Sequence, residues 1–309
     1  MSSSRDSRRF VGRLLAALAG AGLVLLVVLV ASDGLRPSAA MTIRTAGDET
    51  SPDRVLVFSK TAGFRHDAIP DAVAAIEALG AGHGFGVDAT EDAGVFDDAR
   101  LGGYRAVVFL LTTGDVLEPE QQAAFERYVR AGHGYVGVHS AADTEYDWPW
   151  YGGLLGAYFS SHPAIQPAGV QIEDPTHPST AGLPERWNRE DEWYNFRSNP
   201  RGAVRVLARV DEASYGGGTM GGDHPLVWYH EYDGGRAWYT AMGHTRESYA
   251  EPLFLHHLLG GIRYAAGLES APDTASADLG ASPPEGAVVL FDGTDTARWR
   301  PKAGAGLAA

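Results

Sequence analysis

The chain has 309 residues, a formal charge of −14 and no cysteine. This length is enough for one substantial hydrophobic core or two small ones. With 39 acidic against 25 basic residues, the chain lacks the basic footprint that nucleic-acid binding needs, so a small molecule or an oligosaccharide is the expected partner. The absence of cysteine excludes disulfides, thiolate metal ligands and a cysteine nucleophile.

Residues 1–40 have the pattern of an export signal. Four arginines precede an apolar run over residues 14–31, and a stretch rich in small residues follows. As a helix the run would be about 27 Å long at ~1.5 Å per residue, which is just enough to cross a bilayer. Both a cleaved signal peptide and a retained signal anchor fit this pattern. We therefore expect a secreted or extracytoplasmic protein whose only membrane contact is made by residues 14–31.

After a short linker over residues 41–52, the main domain over residues 53–267 alternates strands with helices. In chain order we predict strands at 54–59, 86–90, 105–111 and 134–138, helices at 70–79 and 118–130, a hairpin over 226–242 and a closing helix at 251–266. Strands that alternate with helices predict an α/β fold, with a mostly parallel sheet and helices on both faces. In such sheets ligands bind beyond the carboxyl ends of the strands.

The C-terminal part contains a second linker and a short remnant of another module. Residues 268–285 are rich in Ala, Ser, Pro and Asp and have no apolar period, which is typical of a solvated linker. Residues 286–309 open with an apolar strand pattern, and a lone strand cannot bury its faces. We interpret this segment as a truncated stub.

Histidines follow three of the predicted strands. His66 lies after the first strand, His139 directly after the fourth, and His244 after the second strand of the hairpin. Histidine has an ordinary pKa of about 6.5 and transfers protons near neutrality. Because the carboxyl ends of parallel strands share one edge, we expect the three histidines to form one site with Asp143. Taken singly, each histidine also fits a structural role.

Residues 137–141 are typical of a strand–turn–helix elbow, which exposes a reactive side chain at the top of an α/β sheet. His139 is at its apex, where it would be a proton carrier or a metal ligand. A divalent metal could bind through His139, His162, His244 or Glu192, but no standard ligand spacing is present. The sequence therefore requires no cofactor.

Charged and aromatic residues near these positions are candidates for substrate binding. Lys60 and Arg65 follow the first strand and could stabilise a developing negative charge. Tyr151 and Trp193 could hold a sugar, because the apolar faces of pyranose rings pack on aromatic rings. A role in the core is the alternative for both aromatic residues.

Several strings of residues together resemble the ThuA-like (trehalose utilisation) family. They are residues 60–66, 137–143, 154–159 with 162–163, 191–194 and 239–245. The resemblance implies the flavodoxin-like architecture of class I glutamine amidotransferases and activity on oxidised disaccharides or related sugars. It also draws Glu192 and His162 into the candidate site. His139 occupies the place of that superfamily's elbow cysteine and His244 that of its catalytic histidine, so glutaminase activity is excluded.

The C-terminal stub points to the same substrate class. Residues 289–293 and Trp299 resemble the first strand of the 3-keto-disaccharide hydrolase domain, a jelly-roll that often accompanies ThuA-like domains.

We therefore expect an exported sugar-modifying enzyme, of the hydrolase, lyase or isomerase type, that acts on 3-keto disaccharides or related glycosides. His139 and His244 would transfer protons, assisted by His66, Asp143 and Glu192. The alternatives are a non-catalytic carbohydrate-binding module and a metal-dependent hydrolase of another small substrate. A binding module gives no reason to gather proton carriers at strand ends, which favours an enzyme.

Overall fold

The structure is a computed structural model and describes residues 53–268. Its strands are β1 (Arg54–Phe58), β2 (Gly86–Thr90), β3 (Ala106–Leu110), β4 (Gly134–Val138), β5 (Phe159–Ser161), β6 (Gln166–Ile172), β7 (Arg186–Asp191), β8 (Asn195–Phe196), β9 (Arg205–Val210), β10 (Pro225–Tyr232) and β11 (Gly235–Thr240). Nine of these strands form one sheet in the order β2-β1-β3-β4-β11-β10-β9-β6-β7, and β5 pairs with β8 in a separate small sheet. The α-helices are α1 (Ile69–His83), α2 (Asp98–Leu101), α3 (Pro119–Arg130), α4 (Pro149–Leu155) and α5 (Pro252–Ala266).

The first half of the sheet is parallel, as predicted. β2, β1, β3, β4 and β11 pair in parallel, and the order 2-1-3-4 is that of flavodoxin-like folds. Every residue of β3 and β4 is buried, which is expected for strands that are covered on both faces. The α/β fold class is therefore confirmed.

Helices cover both faces of the parallel half, as side chains of β4 demonstrate. Gly134 packs so closely on α5 that an added Cβ would lie 2.1 Å from the carbonyl oxygen of Ala265. Its neighbour Tyr135 points to the opposite face, where its ring packs against Phe125 of α3 and Tyr151 of α4.

The second half of the sheet is antiparallel, which corrects the expectation of a mostly parallel sheet. The β10–β11 hairpin was predicted, but β9, β6 and β7 continue the sheet beyond it with antiparallel pairing. A flat sheet would hold β7 roughly 20 Å from β11, at about 4.8 Å per strand. Yet the Asp191 carboxylate at the end of β7 accepts hydrogen bonds from the backbone N–H groups of Gly243 and His244, beyond β11. The antiparallel half therefore curls back over the strand ends of the parallel half.

The predicted export signal, both linkers and the C-terminal stub lie outside the described residues. Within residues 53–268, no helix is long and apolar enough to cross a membrane.

Candidate functional site

His139 stands at the centre of the site because of the turn that follows β4. It begins a short 3₁₀ helix, His139–Asp143, and has a φ of 51°. A positive φ is costly for a residue with a Cβ and is typical of functional turns. The main-chain oxygen of His139 accepts a hydrogen bond from the Tyr239 hydroxyl at 2.8 Å. The ring is fully buried, and its Nδ1 lies 2.7 Å from the carbonyl oxygen of Ala241.

Two histidines from other strand ends meet His139. The His66 ring centroid lies 5.1 Å from that of His139 and 4.9 Å from that of His244. His139 Nε2 lies 3.1 Å from His244 Nδ1. The loops after β1, β4 and β11 thus bring the three predicted histidines into one cluster.

Glu192, the residue directly after β7, contacts the cluster through one carboxylate oxygen and His162 through the other. Its Oε2 lies 3.3 Å from His139 Nε2 and 3.1 Å from His244 Nδ1. Its Oε1 lies 2.9 Å from Nδ1 of His162, the residue after β5. Because the His162 side chain is 42% exposed and that of Glu192 only 8%, His162 connects the buried cluster to solvent.

The surroundings of the cluster set the pKa values of three groups. Burial, with the neighbouring imidazoles of His139 and His244, lowers the pKa of His66 to about 3. Burial alone would raise the pKa of Glu192, but hydrogen bonds and charge from His139 and His244 lower it far below its usual range. Burial opposes charge on His244, yet the adjacent Glu192 carboxylate raises the His244 pKa. The site therefore favours an ionised Glu192 beside a cation.

A buried ion pair holds the Glu192 and His244 backbones in place. The Asp191 carboxylate accepts hydrogen bonds from the N–H groups of Glu192, Gly243 and His244. Arg189 lies behind it, with Nη1 3.1 Å from Asp191 Oδ2. Arg189 and Asp191 are both buried residues of β7, and the Asp191 carboxylate connects the end of this strand to the loop after β11.

The cluster forms the floor of a pocket of about 160 Å³. Asp143 lies in its wall, where the Tyr146 hydroxyl donates to Oδ1 at 2.6 Å. The remaining lining residues are Phe64, His66, Phe159, His162, Glu192, Tyr194 and His244. Apart from the lining aromatics, the pocket thus offers carboxylates and imidazoles, the groups that bind metals or transfer protons.

Four side chains of the cluster could hold a metal ion. His66, His139, Glu192 and His244 each offer one ligand atom, and the four atoms lie within 4.8 Å of one another. Metal–nitrogen bonds of about 2.0–2.1 Å place neighbouring ligand atoms roughly 3–4 Å apart, which agrees with the separations around His139. His162 contacts Glu192 from outside this set.

The sequence matches the ThuA family, described as trehalose utilisation, over residues 54–265. The chain belongs to the ThuA family. A comparison with curated proteins gave no match.

Two solved structures share the fold of this chain. A protein described as ThuA-like from Bacteroides uniformis is 25% identical with a TM-score of 0.60, and the match covers 72% of this chain and 95% of that protein. A protein described as ThuA-like from Parabacteroides merdae is 21% identical with a TM-score of 0.57, and the match covers 72% and 94% of the two chains.

The contacts of Lys60 and Arg65 do not support the predicted roles in this ThuA-like site. Lys60 Nζ donates to the carbonyl oxygen of Val116 at 2.8 Å. The exposed Arg65 forms a two-point ion pair with Glu91, at 3.0 and 2.6 Å. Neither residue lines the pocket, because each long side chain turns to a partner outside it.

Tyr151 and Trp193 are core residues of the ThuA-like domain, which corrects their prediction as a sugar platform. Both are fully buried. The Tyr151 hydroxyl donates to the carbonyl oxygen of Ala141 at 2.8 Å, and Trp193 Nε1 donates to that of Gln166 at 2.8 Å. Neither ring can reach a ligand in the pocket.

Sequence reasoning missed other residues that build the site. Phe64, Phe159 and Tyr194 are the aromatic residues of the pocket wall, and Asp191 with Arg189 supports its floor. Phe64, Phe159, Tyr194 and Asp191 all lie in strings that carry the family resemblance, which is the signal that could have found them. Arg189 lies outside those strings and carried none.

Proposed function

We propose that this ThuA-like protein is a metal-dependent enzyme that acts on a carbonyl-bearing sugar, such as a 3-keto disaccharide. The observation that carries the proposal is the convergence of His66, His139, Glu192 and His244 on one point at the floor of the pocket. Three imidazoles and a carboxylate are typical ligands of a divalent first-row metal such as Zn²⁺ or Co²⁺.

The hydrogen bonds of His139 argue for a cation at this point. Nδ1 faces the carbonyl oxygen of Ala241, a pure acceptor, and must carry the proton of the neutral ring. Nε2 then presents a lone pair toward Glu192 Oε2 and His244 Nδ1. Lone pairs at such short distances repel one another unless a cation or a proton on His244 Nδ1 lies between them. A backbone acceptor behind a histidine is also the usual support of a metal ligand.

Asp143 is the proposed base. Its carboxylate lines the pocket beside the cluster and is oriented by the Tyr146 hydroxyl, but it is outside the ligand set. The metal would polarise the sugar carbonyl and so acidify the neighbouring C–H. Asp143 would accept that proton, and the bond from the adjacent carbon to the glycosidic oxygen would break as a carbon–carbon double bond forms. His162, which is exposed and whose Nδ1 lies 2.9 Å from Glu192 Oε1, would protonate the departing oxygen.

A second candidate uses the same residues without a metal. The raised pKa of His244 favours an imidazolium whose Nδ1–H donates to Glu192 and His139. In that mechanism His244 is the general acid and His139 the general base, which is the chemistry expected from the sequence. The two candidates differ in whether the resting site contains an ion or a proton.

The test is metal binding and turnover of the same purified protein. After EDTA treatment, the protein should bind about one equivalent of Co²⁺, with the d–d absorption of a nitrogen-rich site, and should gain turnover of a 3-keto disaccharide. Asp143→Asn should keep the Co²⁺ spectrum but lose about 10²–10⁴-fold in turnover. His139→Gln should lose the spectrum, whereas His256→Gln, at an exposed histidine outside the pocket, should keep both properties.

Each alternative predicts a different result. Turnover without any bound ion, abolished by His139→Gln, would support the metal-free mechanism. Sugar binding that persists in both His139→Gln and Asp143→Asn, with no turnover in any sample, would support the carbohydrate-binding module.

The wider assignments are part of the same proposal. The class I glutamine amidotransferase-like architecture is supported by the strand order and by His139 at the elbow, where that superfamily has cysteine. Export is supported by the arginines and the apolar run of residues 1–40, and the 3-keto-disaccharide hydrolase stub by residues 286–309. Cell fractionation of the full chain, with and without residues 1–40, tests the export assignment.

A further inference from the structure

Phe64 is an exposed aromatic residue at the opening of the pocket. Its exposed fraction is 64%, the highest value among the exposed large hydrophobic residues within 53–268. Phenylalanine is usually buried, and Phe64 lies next to the cluster, since it lines the same pocket as His66 and His244. An exposed ring at this position suggests a contact with a ligand.

Backbone contacts fix the segment that carries Phe64. The Ala62 N–H donates to the carbonyl oxygen of Thr113 at 2.7 Å, and the Gly63 N–H lies 3.2 Å from Thr113 Oγ1. The Thr113 hydroxyl in turn donates to the Phe64 carbonyl oxygen at 2.8 Å. The Phe64 ring meets the His66 ring edge to face, at 4.9 Å and 87°. The ring is therefore exposed although its backbone is anchored, so it presents an apolar surface at a defined place.

The pocket is small for a disaccharide. Its volume of about 160 Å³ is below the ~300–1,000 Å³ of pockets that enclose a drug-sized ligand. Phe159 and Tyr194 close the wall with ring centroids 4.3 Å apart. One ring-sized unit can approach the cluster, and any second unit must remain outside, where Phe64 is exposed.

We propose that Phe64 is the outer binding platform of this site and stacks on the second unit of a disaccharide whose terminal, oxidised unit enters the pocket. This inference rests on the proposed function, to which it adds the residue that binds the second sugar unit. The apolar face of a pyranose is the surface that packs on an aromatic ring.

The experiment compares a disaccharide with a monosaccharide. Binding of trehalose and of glucose to Co²⁺-treated protein is measured by ligand-observed NMR, for the parent protein, Phe64→Ala and Phe64→Trp. Phe64→Ala should weaken trehalose binding about 2- to 10-fold, the value of one aromatic stacking contact, and leave glucose binding unchanged. Phe64→Trp should restore trehalose binding. Leu253→Ala removes another exposed apolar side chain, outside the pocket, and should change neither affinity.

Three results would overturn the inference: equal weakening for both sugars, unchanged trehalose binding in Phe64→Ala, or no measurable trehalose binding by the parent protein. The proposed function fails separately, because it depends on turnover of a keto-sugar. A trehalose-selective effect of Phe64→Ala without any turnover would support the platform and refute the enzyme.

Discussion

Replacing Asp191 by Asn tests whether the buried ion pair behind the cluster organises the site. Asp191 is fully buried, and each of its carboxylate oxygens faces donors: Oδ1 accepts from the N–H groups of Glu192 and His244, and Oδ2 from the N–H of Gly243. An asparagine amide has only one acceptor oxygen. In either orientation its NH₂ group would face a backbone N–H donor, and Arg189 would lose its nearest buried carboxylate.

The contacts also set the size of the effect. Breaking a buried ion pair by removing one partner costs about 3–5 kcal/mol. Arg189 keeps a second ion pair, with Glu251 at 3.2 Å, and a hydrogen bond from Nη2 to Ser248, so we expect the lower part of this range, about 3 kcal/mol. For a domain of this size, ~1 kcal/mol corresponds to about 2–4 °C in Tm, which predicts a fall of roughly 6–12 °C.

Chemical denaturation of EDTA-treated protein measures the loss in the free energy of unfolding, and Co²⁺ titration measures the change in metal affinity. Because Asp191 holds the backbones of Glu192 and His244, Asp191→Asn should also weaken Co²⁺ binding by about 10- to 100-fold, as loss of a supporting contact does. The control is Glu251→Gln, which weakens the outer ion pair of Arg189 but can keep the acceptor for Trp187 Nε1. A loss below about 1 kcal/mol in Asp191→Asn, or unchanged Co²⁺ affinity, would refute this reasoning.

Two further predictions concern buried residues away from the cluster. Burial lowers the pKa of His257 to about 3, whereas in the unfolded chain it is about 6.5. As the pH falls from 6.5 toward 3, only the unfolded chain therefore binds a proton at this histidine. This difference should lower the free energy of unfolding by about 2 kcal/mol at pH 5. His257→Asn should therefore flatten the loss of stability between pH 7 and pH 5 in urea titrations, and an unchanged slope would contradict this. Tyr151→Phe leaves the carbonyl of Ala141 without the hydrogen bond from the Tyr151 hydroxyl, so we expect a loss of stability of about 1–3 kcal/mol and an unchanged KM for the sugar. An altered KM would instead indicate that Tyr151 binds the substrate.

The strand-end histidines could be predicted because the strands that carry them are easy to read. β1, β3 and β4 are short, continuous apolar runs, and the ends of parallel strands share an edge. This logic places His66 and His139 on one edge without any knowledge of packing. Glu192 was predicted as a possible metal ligand and as part of the family resemblance, but nothing placed it at this edge, because no strand was predicted before it.

The antiparallel half could not be predicted for a related reason. β7 alternates exposed and buried residues, and its buried positions hold Trp187, Arg189 and Asp191. Two of these three residues are charged, so the apolar alternation that signals a strand is absent. Their burial depends on partners about 60 residues away, such as Ser248 and Glu251.

Predictions of side-chain roles failed where they were based on residue type alone. An aromatic residue can serve in a core or on a platform, and burial decides between these roles for Trp193 and Phe64. Likewise, Arg65 follows the first strand as expected, but its direction is set by Glu91, which follows β2. Position along the chain predicts the edge of the sheet that a residue occupies; the direction of its side chain follows from partners that are distant in sequence.

The curl of the antiparallel half has a consequence for the biogenesis of the protein. The cluster takes its four side chains from residues 66, 139, 192 and 244, so a nascent chain cannot assemble it until nearly the whole domain has left the ribosome. Any ion held there binds the folded arrangement alone and, at 100 times its Kd, stabilises it by about 2.7 kcal/mol. An incomplete nascent chain is therefore not stabilised by the ion. The domain would thus bind the cation only after its synthesis is complete.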